Sequence, residues 1–451
     1  MGKRLSWATR FGFYLAAIGS ACGLGNLWRF PYVVGENGGG AFVLLYVFLA
    51  LTFGLPLLIG ELILGKATRK SVLTAVDTLE YEKKKPFRIF GKMALVLNLA
   101  VLSYYAVISG WVLHFAIQFL VRLLGIHQAQ TQSMMDLLLN NGLLQVGLTS
   151  VHLLFTIIVV LKGIQDGLEK WVGWMMPLFG VLMLILVVRS LSLSSNQEAL
   201  RFLFYPDFSK LTYSSMIHAI GHVCFTLSVG FGTMVTFGSY LREEDHVPTA
   251  GFRVTIVDTL ISLFAGLLIF PIAFQGTNTP MTDPGLLFEL LPSFLFELPG
   301  GILFGFGFFI CLYLAALSAS IGLLEVIVSN IEDRLKYRRS SSAWVVGIVA
   351  LIVGMVPALS GSALKGIRIF GKGMLEGLDS IVINWILPII AAGMALGITY
   401  GMKKMDKERL FVDTNKMESA SLFSHWEVAL KWYIPILVVV ALVFQVFGLF
   451  Q

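Results

Sequence analysis

The sequence is poor in charge. Of its 451 residues only 13% are Asp, Glu, Lys or Arg, while 57% are hydrophobic. A soluble domain carries about a quarter charged residues, so the bulk of this chain is not built to face water. Cysteine is scarcer still. Cys22, Cys224 and Cys311 all fall inside apolar stretches and have no metal-ligand spacing, which argues against both a disulfide framework and a thiolate metal centre. Linker and low-complexity sequence is also lacking, and the chain reads as one membrane domain over residues 1–451.

What is present is apolar length. A bilayer span needs about 20 apolar residues. Eleven stretches qualify, near 10–35, 40–66, 92–122, 143–161, 171–194, 213–240, 248–275, 300–331, 342–360, 376–402 and 427–450. The reading is an all-α membrane protein with eleven transmembrane helices. Traced from an inward start, the loops separate the charges: 25 of the 33 Lys and Arg lie in segments expected inside and seven in segments expected outside, with Arg29 inside the first span. The excess of +6 is therefore topological, placing the N-terminus in the cytoplasm, and no nucleic-acid role is implied. A basic start leads into a full-length span without a small-residue cleavage site, so the first helix is expected to be retained. The outward loop 276–300, with Pro280, Pro284, Pro292 and Pro299 and acids Asp283, Glu289 and Glu297, is expected to form short helices over the outer mouth. His218 and His222, one turn apart, are expected to line a vestibule or the core rather than to hold a metal.

Two spans are interrupted by glycine. The first contains Gly19-Ser20-Ala21-Cys22-Gly23-Leu24-Gly25-Asn26, and the sixth Thr226-Leu227-Ser228-Val229-Gly230-Phe231-Gly232. Glycine is a poor helix former, and backbone groups freed in lipid must line a cavity or bind something. The clusters occupy matching positions in two five-helix halves, near 10–194 and 213–402, with an extra helix near 427–450. That is the pattern of a 5+5 inverted repeat with a midplane site. Freed N–H groups suit a carboxylate, while freed carbonyls suit an ammonium or sodium. Four ionisable residues fall within spans: Arg29, Glu61, Asp258 and Glu325. Each needs a partner or a task there. Glu325 reads as paired, Glu61 as an acceptor for freed N–H groups, and Asp258 as a counter-charge for sodium.

The segments Trp7-Ala8-Thr9-Arg10, Gly23-Leu24-Gly25-Asn26-Leu27-Trp28-Arg29-Phe30-Pro31, Glu36-Asn37-Gly38-Gly39-Gly40-Ala41-Phe42 and Phe225-Thr226-Leu227-Ser228-Val229-Gly230-Phe231-Gly232 closely resemble the neurotransmitter:sodium symporter family, whose members include a bacterial leucine transporter. The resemblance runs over nearly the whole chain. It implies that the N–H groups of Leu24 and Gly25 and the hydroxyl of Tyr105 meet a substrate carboxylate. That carboxylate joins Ala21, Asn26, Thr226 and Asp258 around a first sodium. Carbonyls of Phe225, Thr226 and Ser228 meet the ammonium, and Val101, Ile108, Phe225, Phe231, Ala319 and Leu323 line the side-chain pocket. Gly23 stands where monoamine carriers have aspartate, which implies an amino-acid substrate. Arg29 and Asp379 match the outer gate pair, with Tyr105 and Phe225 as its inner layer. Gly167 and Pro177 match a fifth-span motif linked with opening toward the cytoplasm.

Three departures carry consequences. Asp258 replaces an asparagine and Ser262 a glutamate of the leucine transporter, so Asp258 supplies the charge that chloride supplies elsewhere, and chloride independence is expected. Ala319 replaces a serine at the second sodium site, leaving Gly19, Cys22, Ala315 and Ser318, so one or two sodium ions are coupled. His222 replaces a glutamine near the outer gate and introduces a titratable group. The function implied is sodium-coupled symport of a neutral, hydrophobic or aromatic L-amino acid by alternating access. No enzyme chemistry is expected, and the compact loops suggest a bacterial inner membrane. The alternative is a non-transporting amino-acid-sensing receptor on the same fold. The gate pair and the Gly167–Pro177 motif argue for transport.

Overall fold

The computed structural model describes residues 6–79, 85–126, 134–276, 286–369, 371, 373–412 and 418–448. Among these, regular structure is helical, and nine helices are long and apolar enough to cross a membrane: Gly40–Thr68, Phe87–Leu123, Gly142–Leu161, Ile164–Leu191, Val247–Gln275, Gly301–Leu335, Arg339–Ala358, Met374–Gly401 and Ala420–Phe447. The other two stretches expected to span, the first and sixth, are broken, and their pieces are each too short to count as spanning helices.

The first runs as Arg10–Ala21, passes through extended Cys22, and resumes as a π-helical turn Gly25–Arg29 followed by Phe30–Glu36. The sixth runs as Tyr213–Thr226 and resumes as Thr233–Gly238. Between its pieces Ser228, Gly230 and Gly232 have φ of 52°, 83° and 74°. Glycine holds such angles without penalty. Ser228 bears a β-carbon and is held there by its hydroxyl, which donates to the Ser20 carbonyl at 2.9 Å.

Proline explains most of the remaining irregularity. The π-helical turns Gly25–Arg29, Ala50–Gly54, Val382–Ile386 and Ala429–Tyr433 each precede a residue followed by proline, at Pro31, Pro56, Pro388 and Pro435. In all four the residue before the proline donates to the carbonyl five back. A proline ring collides with the carbonyl four residues earlier. Widening the turn by one residue removes the collision and keeps the helix running.

The helices Lys85–Leu123 and Gly301–Leu335 share the largest helix–helix interface and form the axis of the bundle. The most apolar window of Phe87–Leu123 is 72% buried, against 22% for Ala420–Phe447, which is therefore a peripheral helix. At the mouth expected to face outward, helix Leu286–Glu297 lies over the bundle, its Phe288 ring 5.8 Å from Trp111 and 5.6 Å from Phe115. Arg122 sits 3.8 Å from the Phe296 ring. Pro280, Asp283 and Pro284 lie outside the described residues. At the other end Trp7 is buried, donating to the Phe237 carbonyl at 3.2 Å among the rings of Phe13, Phe237 and Tyr240. Glu325 is paired with Arg339 and accepts from the Tyr240 hydroxyl at 3.0 Å.

Small residues set the closest approach. A β-carbon at Gly238 would lie 2.6 Å from the Leu62 carbonyl oxygen, and one at Gly65 would strike the Val235 carbonyl. Helix Leu55–Thr68 thus packs backbone against backbone on the second piece of the sixth span. Gly238→Val is expected to lower stability by about 2 kcal/mol or more through overpacking. A thermal-unfolding midpoint in detergent lowered by several degrees would confirm it, and an unchanged midpoint would refute it.

Candidate functional site

The two breaks face each other at mid-bundle, and almost every group around them is buried. At the first break the Leu24 N–H donates to the Tyr105 hydroxyl at 2.7 Å, and the Gly23 N–H donates to Asn26 Oδ1 at 3.2 Å. Asn26 then donates through Nδ2 to Asp258 Oδ1 at 2.8 Å and to Ser262 Oγ at 2.9 Å. Ser262 in turn meets the Tyr46 hydroxyl at 3.0 Å. At the second break the Gly230 N–H donates to Glu61 Oε1 at 2.7 Å.

Glycine at positions 23 and 25 is a steric requirement. A β-carbon on Gly23 would strike the Tyr105 hydroxyl and lie 2.9 Å from the Ala319 methyl. One on Gly25 would lie 2.8 Å from the Phe225 ring. Any side chain at Gly23 would require Tyr105 and Ala319 to move. Val101, Tyr105 and Ile108 project from one face of helix Lys85–Leu123, and Ala319 and Leu323 from helix Gly301–Leu335; all are buried. Phe231 is buried and Phe225 half-buried, their rings 6.0 Å apart. The expected pocket residues therefore come from the two axial helices and the sixth-span break.

The expected cation ligands fall into two groups. Asn26 and Asp258 are in contact, with Thr226 beside Gly25. The second carboxylate oxygen of Asp258 is buried and has no hydrogen-bond partner among the described residues. In the other group Ser318 Oγ abuts Gly19, where a β-carbon would collide with it, and it too is buried with no hydrogen-bond partner among the described residues. Cys22 and Ala315 are buried, and helix Arg10–Ala21 packs on helix Gly301–Leu335. Ala319 offers no hydroxyl. Unpaired buried oxygens are costly, and hard oxygen donors are what an alkali cation takes up. In the first group Asn26 turns its Nδ2 toward Asp258 and its Oδ1 toward the Gly23 N–H, so the unpaired carboxylate oxygen of Asp258 is the side-chain oxygen that fits sodium there. The second fits it with one side-chain oxygen.

Arg29 and Asp379 form a buried ion pair, Nε to Oδ2 at 3.3 Å. Around it, Arg29 donates to Asn384 Oδ1 at 3.3 Å, and Asp379 accepts from Tyr32 at 3.4 Å and Tyr104 at 3.3 Å. Above the pair lies a cavity of about 480 Å³ whose lining includes Trp28, Glu36, His218 and Glu376. His222 lies deeper, stacked 5.4 Å from Phe30, with Nδ1 3.5 Å from an Arg29 nitrogen. A protonated imidazole there would set two buried positive charges side by side. The geometry calls for a neutral ring accepting from Arg29, so the titration expected of His222 has a physical argument against it.

Glu61, Gly167 and Pro177 lie outside this centre. Glu61 stands behind the sixth-span break. Gly167 sits in the π-helical turn Ile164–Glu169, where a β-carbon would strike the Val159 carbonyl, and Pro177 sits inside helix Lys170–Leu191. Two positions escaped the sequence reading. Glu169 accepts from the Ala8 N–H at 2.8 Å, the Thr9 N–H at 3.0 Å and the Thr9 hydroxyl at 2.8 Å, which ties the N-terminal segment to that turn. Asn98 donates to the carbonyl of Phe231 at 2.5 Å. The signal for Asn98 was available: it is the one carboxamide of the stripe that continues through Val101, Tyr105 and Ile108.

Known proteins share this arrangement over its full length. A solved structure of MhsT in complex with L-phenylalanine superposes with a TM-score of 0.90 at 32% identity, covering 98% of this chain and 100% of that one. An uncharacterised sodium-dependent transporter of Bacillus subtilis (strain 168) is 34% identical over 444 residues, 97% of each chain. A second, from Haemophilus influenzae, is 30% identical over 99% of each. The model of the sodium:neurotransmitter symporter family matches residues 4–136 and 124–450. With broken helices, relatives and family model in agreement, the chain belongs to the sodium:neurotransmitter symporter family, a family of multi-pass membrane transporters driven by sodium.

Proposed function

We propose that this transporter carries neutral L-amino acids, hydrophobic or aromatic ones above all, together with one or two sodium ions by alternating access. The observation that carries the reading is the facing pair of breaks, at Ala21 and at Thr226, with a carboxylate oxygen of Asp258 beside them that has no hydrogen-bond partner among the described residues. In this reading the substrate carboxylate meets the N–H groups of Leu24 and Gly25 and the Tyr105 hydroxyl, taking the place of the Leu24–Tyr105 hydrogen bond, and shares the first sodium with Ala21, Asn26, Thr226 and Asp258. The ammonium takes carbonyls of Phe225, Thr226 and Ser228. The L-phenylalanine bound to MhsT supports the aromatic substrate class. Arg29 and Asp379 close the outer side, and movement about Gly167 and Pro177 opens the inner one. The two five-helix halves, near 10–194 and 213–402, rock about the site, with the N-terminus in the cytoplasm of a bacterium.

Asp258 also bears on chloride. It adjoins Ser262 and Tyr46 through Asn26, so its charge fills the electrostatic role of a bound anion. Stoichiometry sets the attainable gradient. Each sodium contributes about 2.3 kcal/mol per 100 mV and about 1.4 kcal/mol per tenfold gradient. One ion supports an accumulation of several hundred-fold, two on the order of 10⁵. The lack of a hydroxyl at Ala319 leaves the second site one side-chain oxygen short.

Uptake of labelled phenylalanine and leucine into proteoliposomes is expected to require an inward sodium gradient and to be indifferent to replacement of chloride by gluconate. Binding without accumulation would sink the transport reading, and a chloride requirement would sink the role given to Asp258. Asp258→Asn is expected to raise the half-saturating sodium concentration at least about tenfold, the loss of one charge-assisted contact, and to make uptake respond to chloride. An unchanged sodium dependence would remove Asp258 from the ion site.

A further inference from the structure

Asn98 is fully buried in helix Lys85–Leu123, and its carboxamide has a fixed orientation. Its nitrogen lies 2.5 Å from the Phe231 carbonyl oxygen and 2.8 Å from that of Ala94. Both neighbours are acceptors, so the nitrogen belongs there and the two ends of the amide are not interchangeable. The other end is an oxygen that can only accept, and it has no hydrogen-bond partner among the described residues. A buried amide oxygen left without a donor is a standing cost.

Its location says what donor it would take. At 3.6 residues per turn, positions 98, 101, 105 and 108 share one helix face. Val101, Tyr105 and Ile108 are the wall of the proposed side-chain pocket, with Tyr105 held to Leu24 at the carboxylate end. Asn98 lies one turn beyond Val101, away from that end, and grips the carbonyl of Phe231, whose ring belongs to the same pocket. A carboxylate anchored near Leu24 and Tyr105 thus directs the substrate side chain toward Asn98. The side chains of the remaining walls, Val101, Ile108, Phe225, Phe231, Ala319 and Leu323, are hydrocarbon.

We infer that Asn98 is a specificity determinant at the floor of the side-chain pocket, accepting a hydrogen bond from an aromatic substrate that carries an O–H or N–H at its rim. The inference rests on the proposed amino-acid site and deepens it: the favoured class is phenol- or indole-bearing amino acids, above phenylalanine and leucine. Asn98 also pins the sixth-span break through Phe231. A purely structural role would stop at that contact and leave discrimination between isosteric side chains unchanged.

The test compares near-isosteres with and without the donor as competitors of sodium-driven phenylalanine uptake: L-tyrosine against 4-fluoro-L-phenylalanine, and L-tryptophan against L-3-benzothienylalanine. In the unaltered protein the donor-bearing member of at least one pair is expected to compete about tenfold better, the size of one buried hydrogen bond. Asn98→Leu is expected to bring that ratio to one or below. Asn98→Asp, which keeps an acceptor oxygen, is expected to preserve it, and the ratio is read whatever the absolute rate. Equal competition within both pairs in the unaltered protein would overturn the inference, as would a ratio that survives Asn98→Leu. Absence of sodium-driven uptake of any amino acid would instead overturn the underlying transport reading, a result distinct from equal competition.

Discussion

The structure depends on one constraint: a backbone that leaves its helix inside a membrane must find hydrogen-bond partners in the protein itself. The two breaks meet it with four side chains, one from the first break itself, two from helix Lys85–Leu123 and one from helix Leu55–Thr68. Tyr105 takes the Leu24 N–H, Asn26 the Gly23 N–H, Glu61 the Gly230 N–H, and Asn98 gives to the Phe231 carbonyl. Ser228 joins one break to the other through Ser20. Each supporting group is itself polar and buried, which explains why a carboxylate such as Glu61 persists in an otherwise apolar helix. Groups that keep an unspent valence, including the Tyr105 hydroxyl, which accepts from Leu24 and still has a proton to give, and one oxygen of Asp258, are where binding is to be sought.

The breaks were legible because glycine's cost in a helix is local and intrinsic. Clusters at 19–26 and 226–232 announced them, and the helices stop at Ala21 and Thr226. The buried charges were legible for a similar reason, since an ion in lipid demands explanation wherever it occurs. Other features were carried by relations that a linear reading weighs poorly. The π-helical turns require reading each proline back four and five residues, a local signal that was present at Pro31, Pro56, Pro388 and Pro435 and was not used. Asn98 hid in an apolar stripe because one polar residue on a helix face reads as noise until its partner is known. Glu169, an acid in an exposed loop by sequence, acquires its three donors from residues 160 positions away. The role of His222 depended on a neighbour 193 residues distant in sequence, and no spacing rule reports that guanidinium.

The two ends of the bundle are closed by different physics. At one, the Arg29–Asp379 pair is buried and is sustained by hydrogen bonds from Tyr32 and Tyr104 and to Asn384. A buried ion pair of this kind persists only while its remaining valences are met, because desolvation consumes most of its Coulombic attraction. It is therefore sensitive to water: hydration from the cavity above weakens the attraction and relieves the desolvation together. At the other end the closure is a buried aromatic plug, Trp7, tethered by solvent-exposed hydrogen bonds to Glu169 and by Gln165 to the Ser6 carbonyl at 2.7 Å. Exposed bonds are individually weak, and the hydrophobic contact beneath them is indifferent to charge.

A path of contacts joins the first of these closures to Asp258. Asp258 holds Asn26, Asn26 holds Ser262, and Ser262 meets Tyr46. The Tyr46 ring lies 5.1 Å from His222, and His222 reaches Arg29. A cation placed against the unpaired oxygen of Asp258 pulls on the first member of that series, and the last member is Arg29 of the buried ion pair. The aromatic plug has no such link to Asp258 among the described contacts. Its tether runs instead to the turn that contains Gly167, at the foot of the fifth span. The two closures thus answer to different parts of the molecule, a condition that opening one while holding the other requires.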